Sequence, residues 1–166
     1  MDKTDILKEK LADAEVVLIG IGEEFNEKFD RIAEHEQLVK GLELVDAKEE
    51  LAWMVPYFEK IYLQEQNQSD ILSAYRNLYE LVKDKNYYIV TTCIDGLIQK
   101  AGFKPEKIVE PCGNYEKMQC SAKCSTKLYE SEEYANKIKE ALQDGTLEQV
   151  EQPVCPDCGA PLAFNN

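Results

Sequence analysis

The stretch NYYIVTTCIDGLIQKAGF, residues 86–103, decides the fold. Its first half is rich in β-branched and aromatic residues and too short for a helix core, so it reads as a strand. The run stops at a thiol and an acid, Cys93 and Asp95, and then turns into a short helical segment closed at Ala101-Gly102. A strand that ends in chemically capable side chains and feeds a helix has the pattern of a site edge in an α/β protein.

Working outward, the run AEVVLIGIG, residues 14–22, is β-branched and apolar on both faces, which predicts a buried parallel strand. KIVEP, residues 107–111, supplies a third strand. Before the first strand, Ile6, Leu7 and Leu11 predict an amphipathic helix. After it, Phe25, Phe29 and Ile32 recur at helical spacing, and a second helical stretch runs from about Lys48 to Leu63, where Pro56 either kinks it or opens a first turn. Ser69 is placed to cap a helix with Ile71, Tyr75, Leu78 and Val82 on its inner stripe. Strand, helices, strand, helix, strand predicts the α/β class with a Rossmann-like parallel sheet.

Composition limits the function. The 166 residues suit one domain, or one domain with a small module, and can bury a real core. With no N-terminal leader pattern and no apolar run near the roughly 18 residues of a membrane span, a cytoplasmic protein is expected. The net charge of −13 repels phosphate backbones and anionic membrane surfaces, so nucleic acid and membrane are excluded as partners. Six cysteines in such a chain point to metal or chemistry rather than to disulfides.

After residue 112 the chain changes character. Cys120-x3-Cys124 and Cys155-x2-Cys158 bracket a helix carrying Tyr134, Ile138 and Leu142, closed by Asp144-Gly145. Two closely spaced cysteine pairs bring four thiolates to one tetrahedral Zn²⁺, and a set of four thiolates leaves no open position, so the expected ion is structural. The glycine of CPDCG permits a tight turn whose amides can face sulfur. Gly20-Ile21-Gly22 is a weaker sign: such a turn can bring amides to a pyrophosphate, but Glu23 and Glu24 follow at once. A carboxylate some 6 Å from a phosphate charge costs about 2–3 kcal/mol. His35, in the polar run EHEQ, reads as a solvated surface residue, and Trp53, Tyr57 and Phe58 as packing.

Taken together, TTCIDGLIQKAGF, the turn CGNY, then QCSAKC, a helix and CPDCGAPL resemble the sirtuin family, most of all its class M branch, which is associated with protein mono-ADP-ribosylation. The likeness runs from about Leu11 to the last residue and is dense from Tyr87 onward. It implies the first half of a sirtuin-type Rossmann domain, residues 1–112, with a helical insertion at about 24–85, and a zinc module at 113–166. It also implies an NAD or ADP-ribose pocket using Gly20, Gly22, Thr91 and Asp95, with Asp95, Cys93 and Cys112 at the catalytic positions.

The departures from the family lie in that pocket. An asparagine that helps to position the nicotinamide ribose falls at Cys93. The catalytic histidine, commonly glutamine in class M, falls at Cys112. The glycine-rich turn becomes Gly22-Glu23-Glu24-Phe25-Asn26. The resemblance therefore implies a zinc-binding protein with a degenerate pocket that acts as an interaction module, its open sheet edge covered by a protein partner or a second copy. Two alternatives stay open: an active NAD-dependent transferase or deacylase completed by oligomerisation, and a thiol redox switch made by Cys93 and Cys112, which are expected to face each other across the pocket.

Overall fold

The structure, a computed structural model, describes residues 2–165. Strands β1 (Val16–Ile21) and β2 (Asn86–Thr91) pair in parallel from Val16↔Asn86 to Ile21↔Thr91, and β3 (Ile108–Val109) joins β2 in parallel, giving the order β1-β2-β3. The expected α/β class and parallel sheet are thus present. Helix α1 (Lys3–Asp13) precedes β1. Helices α2 (Glu36–Ala47), α3 (Val55–Glu65) and α4 (Asp70–Val82) lie between β1 and β2, and the short α5 (Leu97–Lys100) follows β2. Ser69 caps α4, its hydroxyl accepting from the Leu72 amide at 3.0 Å. Pro56 sits in the first turn of α3, where its missing N–H costs nothing, and a 3-10 turn over Glu49–Met54 replaces the start of the expected helix.

The second sheet has the order β5-β4-β6, with β4 (Asn114–Cys120) between β5 (Leu128–Glu130) and β6 (Leu162–Asn165), both antiparallel to it. Helix α6 (Glu132–Asp144) spans the interval between the cysteine pairs and ends at Gly145 in the left-handed region, φ 68°. Its inner stripe buries Ala135, Ile138 and Ala141.

Two cores hold the chain, and they do not divide at residue 112. Leu72, Tyr75 and Val82 of α4 pack with Tyr87 and Ile89 of β2, Leu97 and Ile98 of α5, and Phe103. The other core joins α2 and α3, through residues such as Leu38, Phe58 and Tyr62, to Met118, Ile138 and Phe164 of the cysteine module. The helical segment between the first two strands therefore belongs in part to each core.

Two expectations from pattern are corrected. The segment Phe25 to Ile32 forms only isolated 3-10 turns, Glu23–Phe25 and Ile32–Glu34, because its aromatic residues pack into different cores: Phe25 into the sheet core and Phe29 into the module core. Strand β1 is parallel as expected but buried on one face only. Val17, Ile19 and Ile21 pack inward, while Val16 and Leu18 stand 55% and 74% exposed, beside the exposed Tyr88, Val90 and Val109. One face of a parallel sheet, normally covered on both, is bare, and β1 is an edge strand. No helix among the described residues is long and apolar enough to cross a membrane.

Candidate functional site

The four module cysteines converge. Cys120 ends β4, Cys124 follows one turn later, and Cys155 and Cys158 flank the turn before β6. Their sulfurs all lie within 4.8 Å of one another, with Cys120 to Cys158 at 3.5 Å and Cys124 to Cys155 at 3.6 Å. Four thiolates about 2.3 Å from a central ion stand about 3.8 Å apart, so these residues fit a tetrahedral metal that would serve only to hold the loops together.

The loops are shaped for that task. In the second pair, Gly159 at φ 76° lets its amide reach the Cys155 carbonyl at 2.8 Å, while the Cys155 amide reaches Ala160 at 2.7 Å. In the first pair Lys123 takes the left-handed conformation, φ 52°, without being glycine, and donates to the Cys120 carbonyl at 2.9 Å. Burial pushes the Cys155 thiol up, but hydrogen bonds from the amides of Asp157 and Cys158 and from the Cys124 and Tyr129 side chains together bring it down to about 6. The Cys124 amide likewise lowers Cys120. Amides aimed at sulfur favour thiolates, the form in which cysteine binds metal.

The second constellation lies where β1 and β2 end. Gly20 is the fifth residue of β1, and Gly22 opens the 3-10 turn at φ −85°. Neither needs to be glycine for its backbone, and a Cβ on either would meet nothing within 4 Å. That open space suits the close approach of a ligand to a backbone. Beyond β2 the chain turns sharply through Cys93, Ile94 and Asp95 to Gly96, which is left-handed at φ 68°. Thr91 is fully buried, and its hydroxyl accepts from the Cys93 amide at 3.0 Å.

The groups assigned to a cofactor are already engaged within the chain. Cys93 is 2% exposed and its thiol donates to the Gly22 carbonyl at 3.1 Å. Asp95, 6% exposed, accepts the Glu27 amide at 2.7 Å and the Leu97 amide at 2.9 Å. Burial raises the Asp95 carboxyl above the usual range, opposed by those two amides. Cys112 differs in exposure: it lies open to solvent in the turn after β3. All six cysteines are free. The structure thus brings Gly22, Thr91, Cys93 and Asp95 together, with one of the two pocket thiols buried and the other open to solvent.

Four participants were not singled out as site residues from the sequence. The Asn26 side-chain oxygen accepts from the Ile94 amide at 2.8 Å. Tyr75, read only as part of a helix stripe, is fully buried beside Cys93 and Thr91 with its hydroxyl unpaired. Burial foremost raises its phenol. Lys60, 1% exposed, sits 3.0 Å from Glu116 but is not aligned to hydrogen bond with it. Beside this pair, Lys100 donates to the carbonyls of Leu63 and Gln64 at 3.0 and 3.1 Å, and burial lowers its ammonium. Lys60, Lys100, Asp95 and Glu116 line a niche of about 10 Å³, the size of one water. A buried lysine in an apolar helix stretch carries no sequence signal of its own. His35 is less solvated than its polar run suggested, lying 3.4 Å from Glu65 and edge-on to Tyr62.

The family model for the Sir2 family matches residues 15–163. A Protein ADP-ribosyltransferase of Staphylococcus aureus (strain Mu50 / ATCC 700699) is 25% identical over 181 aligned residues, covering 98% of this chain and 56% of that protein. Among solved structures, a mutant Sir2 homologue in complex with ADP ribose superposes with a TM-score of 0.59 at 16% identity, over 99% of this chain and 62% of that one. A structure addressing the mechanism and regulation of Sir2 enzymes gives 0.55 at 20% identity, over 99% and 62%. The chain therefore spans little more than half the length of these relatives, and the likeness of the structures is one of fold.

Proposed function

This chain belongs to the Sir2 family, and on that premise we propose that it is a zinc-stabilised member whose nucleotide pocket no longer supports catalysis by the chain alone and whose bare sheet is a protein-binding surface. The observation that carries this reading is the engagement of the pocket groups with one another. A carboxylate that already accepts two amides, and a carbonyl that already accepts a thiol, have fewer free lone pairs and less freedom to turn toward a ligand. Glu23 and Glu24, both exposed, stand at the turn where a pyrophosphate would approach.

Zinc is the ion that suits four thiolates in tetrahedral array, and Cys120, Cys124, Cys155 and Cys158 would hold it. It would supply structure and no reactive position. In this reading Asp95 orders the turn after β2 rather than a ribose, and Cys93 fills the space of a lost polar side chain.

The partner surface is the open β1 edge with Val16, Leu18, Tyr88 and Val90 beside it, a combination that natural sheets seldom leave uncovered. A second copy or a different protein would cover it. The test is sedimentation of the purified chain, with ADP-ribosyl transfer and deacylation from labelled substrates assayed on each species. Absence of turnover by the monomer is expected. Turnover by the monomer would overturn the impaired reading, and turnover confined to a dimer would favour the alternative of an enzyme completed by oligomerisation.

A further inference from the structure

We propose that an aromatic hollow between α3 and the second sheet binds the quaternary ammonium group of a small molecule. The hollow has a volume of about 450 Å³, within the range of small-molecule sites. It shares no lining residue with the cysteine cluster or with the group Gly22, Thr91, Cys93 and Asp95, so the inference goes beyond the proposed function and does not depend on it. Four aromatic side chains line it: Trp53 from the 3-10 turn before α3, Tyr57 from α3, Tyr115 from β4 and Phe164 from β6. Trp53, Pro56 and Tyr57 lie three and four positions apart, a spacing that puts them on one face, and that face looks across to the sheet.

The rings form one continuous run. Trp53 and Tyr57 have centroids 5.8 Å apart at 84°, Tyr57 and Phe164 4.7 Å apart at 55°, and Phe164 and Tyr115 5.2 Å apart at 68°. Rings at such steep angles build the corner of a box instead of a stack, so an occupant meets more than one of them at once. A cation within about 6 Å of a ring centroid is attracted by the negative π face, most strongly by tryptophan. The charge of the lining agrees: Glu59 is the one charged side chain among the described residues that border the hollow. Lys60, next along α3, lies instead in the separate niche beside Glu116. The net charge of −13 adds a general attraction for cations.

The hydrogen-bonding groups select the kind of cation. The Tyr57 hydroxyl donates to the Met118 sulfur at 2.8 Å, and the Tyr115 hydroxyl donates to Glu59 Oε2 at 2.6 Å. Both phenols are therefore committed and offer no free donor to an anion. A primary ammonium carries three N–H donors, and one carboxylate shared with Tyr115 cannot satisfy them all. A quaternary ammonium has no N–H to satisfy, and its methyl groups suit the apolar walls of Pro56 and Leu162.

Trp53 is the only tryptophan of the chain, so its fluorescence reports on the hollow directly. The test is a titration of the full, zinc-loaded chain with choline chloride at constant ionic strength. A saturable fluorescence change with a midpoint of about 1 mM is expected. Two analogues separate charge from shape: the neutral dimethylbutanol in which carbon replaces the nitrogen, and ethanolamine, the primary amine. Each should bind about tenfold more weakly than choline. Glu59→Gln, which keeps an acceptor for Tyr115, should weaken choline binding about fivefold, and Trp53→Leu, followed by calorimetry, about tenfold. Should Trp53→Leu fail to fold, Glu59→Gln and the two analogues decide. Absence of saturation by choline up to about 50 mM, or an affinity unchanged in the variants that fold, would overturn the site. Dimethylbutanol binding as tightly as choline would overturn it in favour of a merely apolar hollow, and ethanolamine binding as tightly would overturn the quaternary class.

Discussion

The cysteine cluster and the strand-end pocket are both made of loops at the ends of strands, yet they are held in opposite ways. In the cluster each loop is shaped by its own sequence: Gly159 and Lys123 take left-handed conformations, and amides within each loop reach the carbonyls of its own cysteine pair. Its four sulfurs then have one task. In the pocket three ties are long-range, joining residues 68 to 71 positions apart, and beside two short local ones they engage Cys93, Asp95 and Asn26 within the chain. A site whose chemistry is set by one ion demands particular residues at particular spacings. A site made by two loops meeting can drift, since any pair of groups that satisfies the backbone keeps the fold.

The largest expected effect would break this contrast at the cluster. Cys120→Ser should abolish stoichiometric metal binding, measured as one zinc per wild-type chain and none in the variant. It should also raise protease sensitivity across the cysteine loops, which the ion ties together. A variant that keeps its zinc, or a wild-type protein without any, would remove the cluster from the account.

A smaller effect is expected beside the pocket. Glu116→Ala removes the carboxylate 3.0 Å from the buried Lys60 ammonium and leaves Asp95 as the acid that shares its niche, which should destabilise the chain by about 2 kcal/mol in denaturant melts. Lys60→Met should change stability by less than about 1 kcal/mol in either direction, since it removes the charge together with its desolvation penalty. Equal losses in the two variants would mean that the pair is simply attractive.

Acid should sharpen the contrast further. Burial raises the Asp95 carboxyl in the folded chain, so its protonated form is favoured there relative to the unfolded chain. Its contribution is full below the unfolded value near 3.9 and is lost as pH rises through the raised folded value. Wild type should thus gain on Asp95→Asn as pH falls from 7 toward 4, and comparing the two at each pH cancels the titration of the cysteines. A difference that does not change with pH would contradict the burial assigned to Asp95. The smallest effect concerns Lys123, where a left-handed lysine is strained by about 1 kcal/mol: Lys123→Gly should leave stability the same or slightly higher.

Much of the architecture could be read from residues alone, for local reasons. The β-branched runs at 16–21 and 86–91 announced parallel strands, Ser69 announced a cap, and the spacing of four cysteines announced their convergence. What escaped was whatever depends on a neighbour distant in sequence. The apolar outer positions of β1 looked like a doubly buried strand, because a pattern records what a face could bury and not whether anything covers it. Phe25, Phe29 and Ile32 had helical spacing but serve two different cores. In the pocket, Cys93 and Asp95 stood out by type, while Asn26, Tyr75 and Lys60 acquire their roles only from tertiary contact.

The claim that most depends on this comparison is that Cys93 and Asp95 are engaged within the chain rather than held ready for a nucleotide, and calorimetry with NAD and ADP-ribose tests it most directly. Losing buried hydrogen-bond partners at about 1–3 kcal/mol each, with carboxylate repulsion of similar size, moves a micromolar site by several powers of ten. The account predicts no measurable heat of binding for either ligand below the millimolar range, with the chain carrying its zinc. Saturable binding at micromolar concentration by the zinc-loaded chain would contradict it.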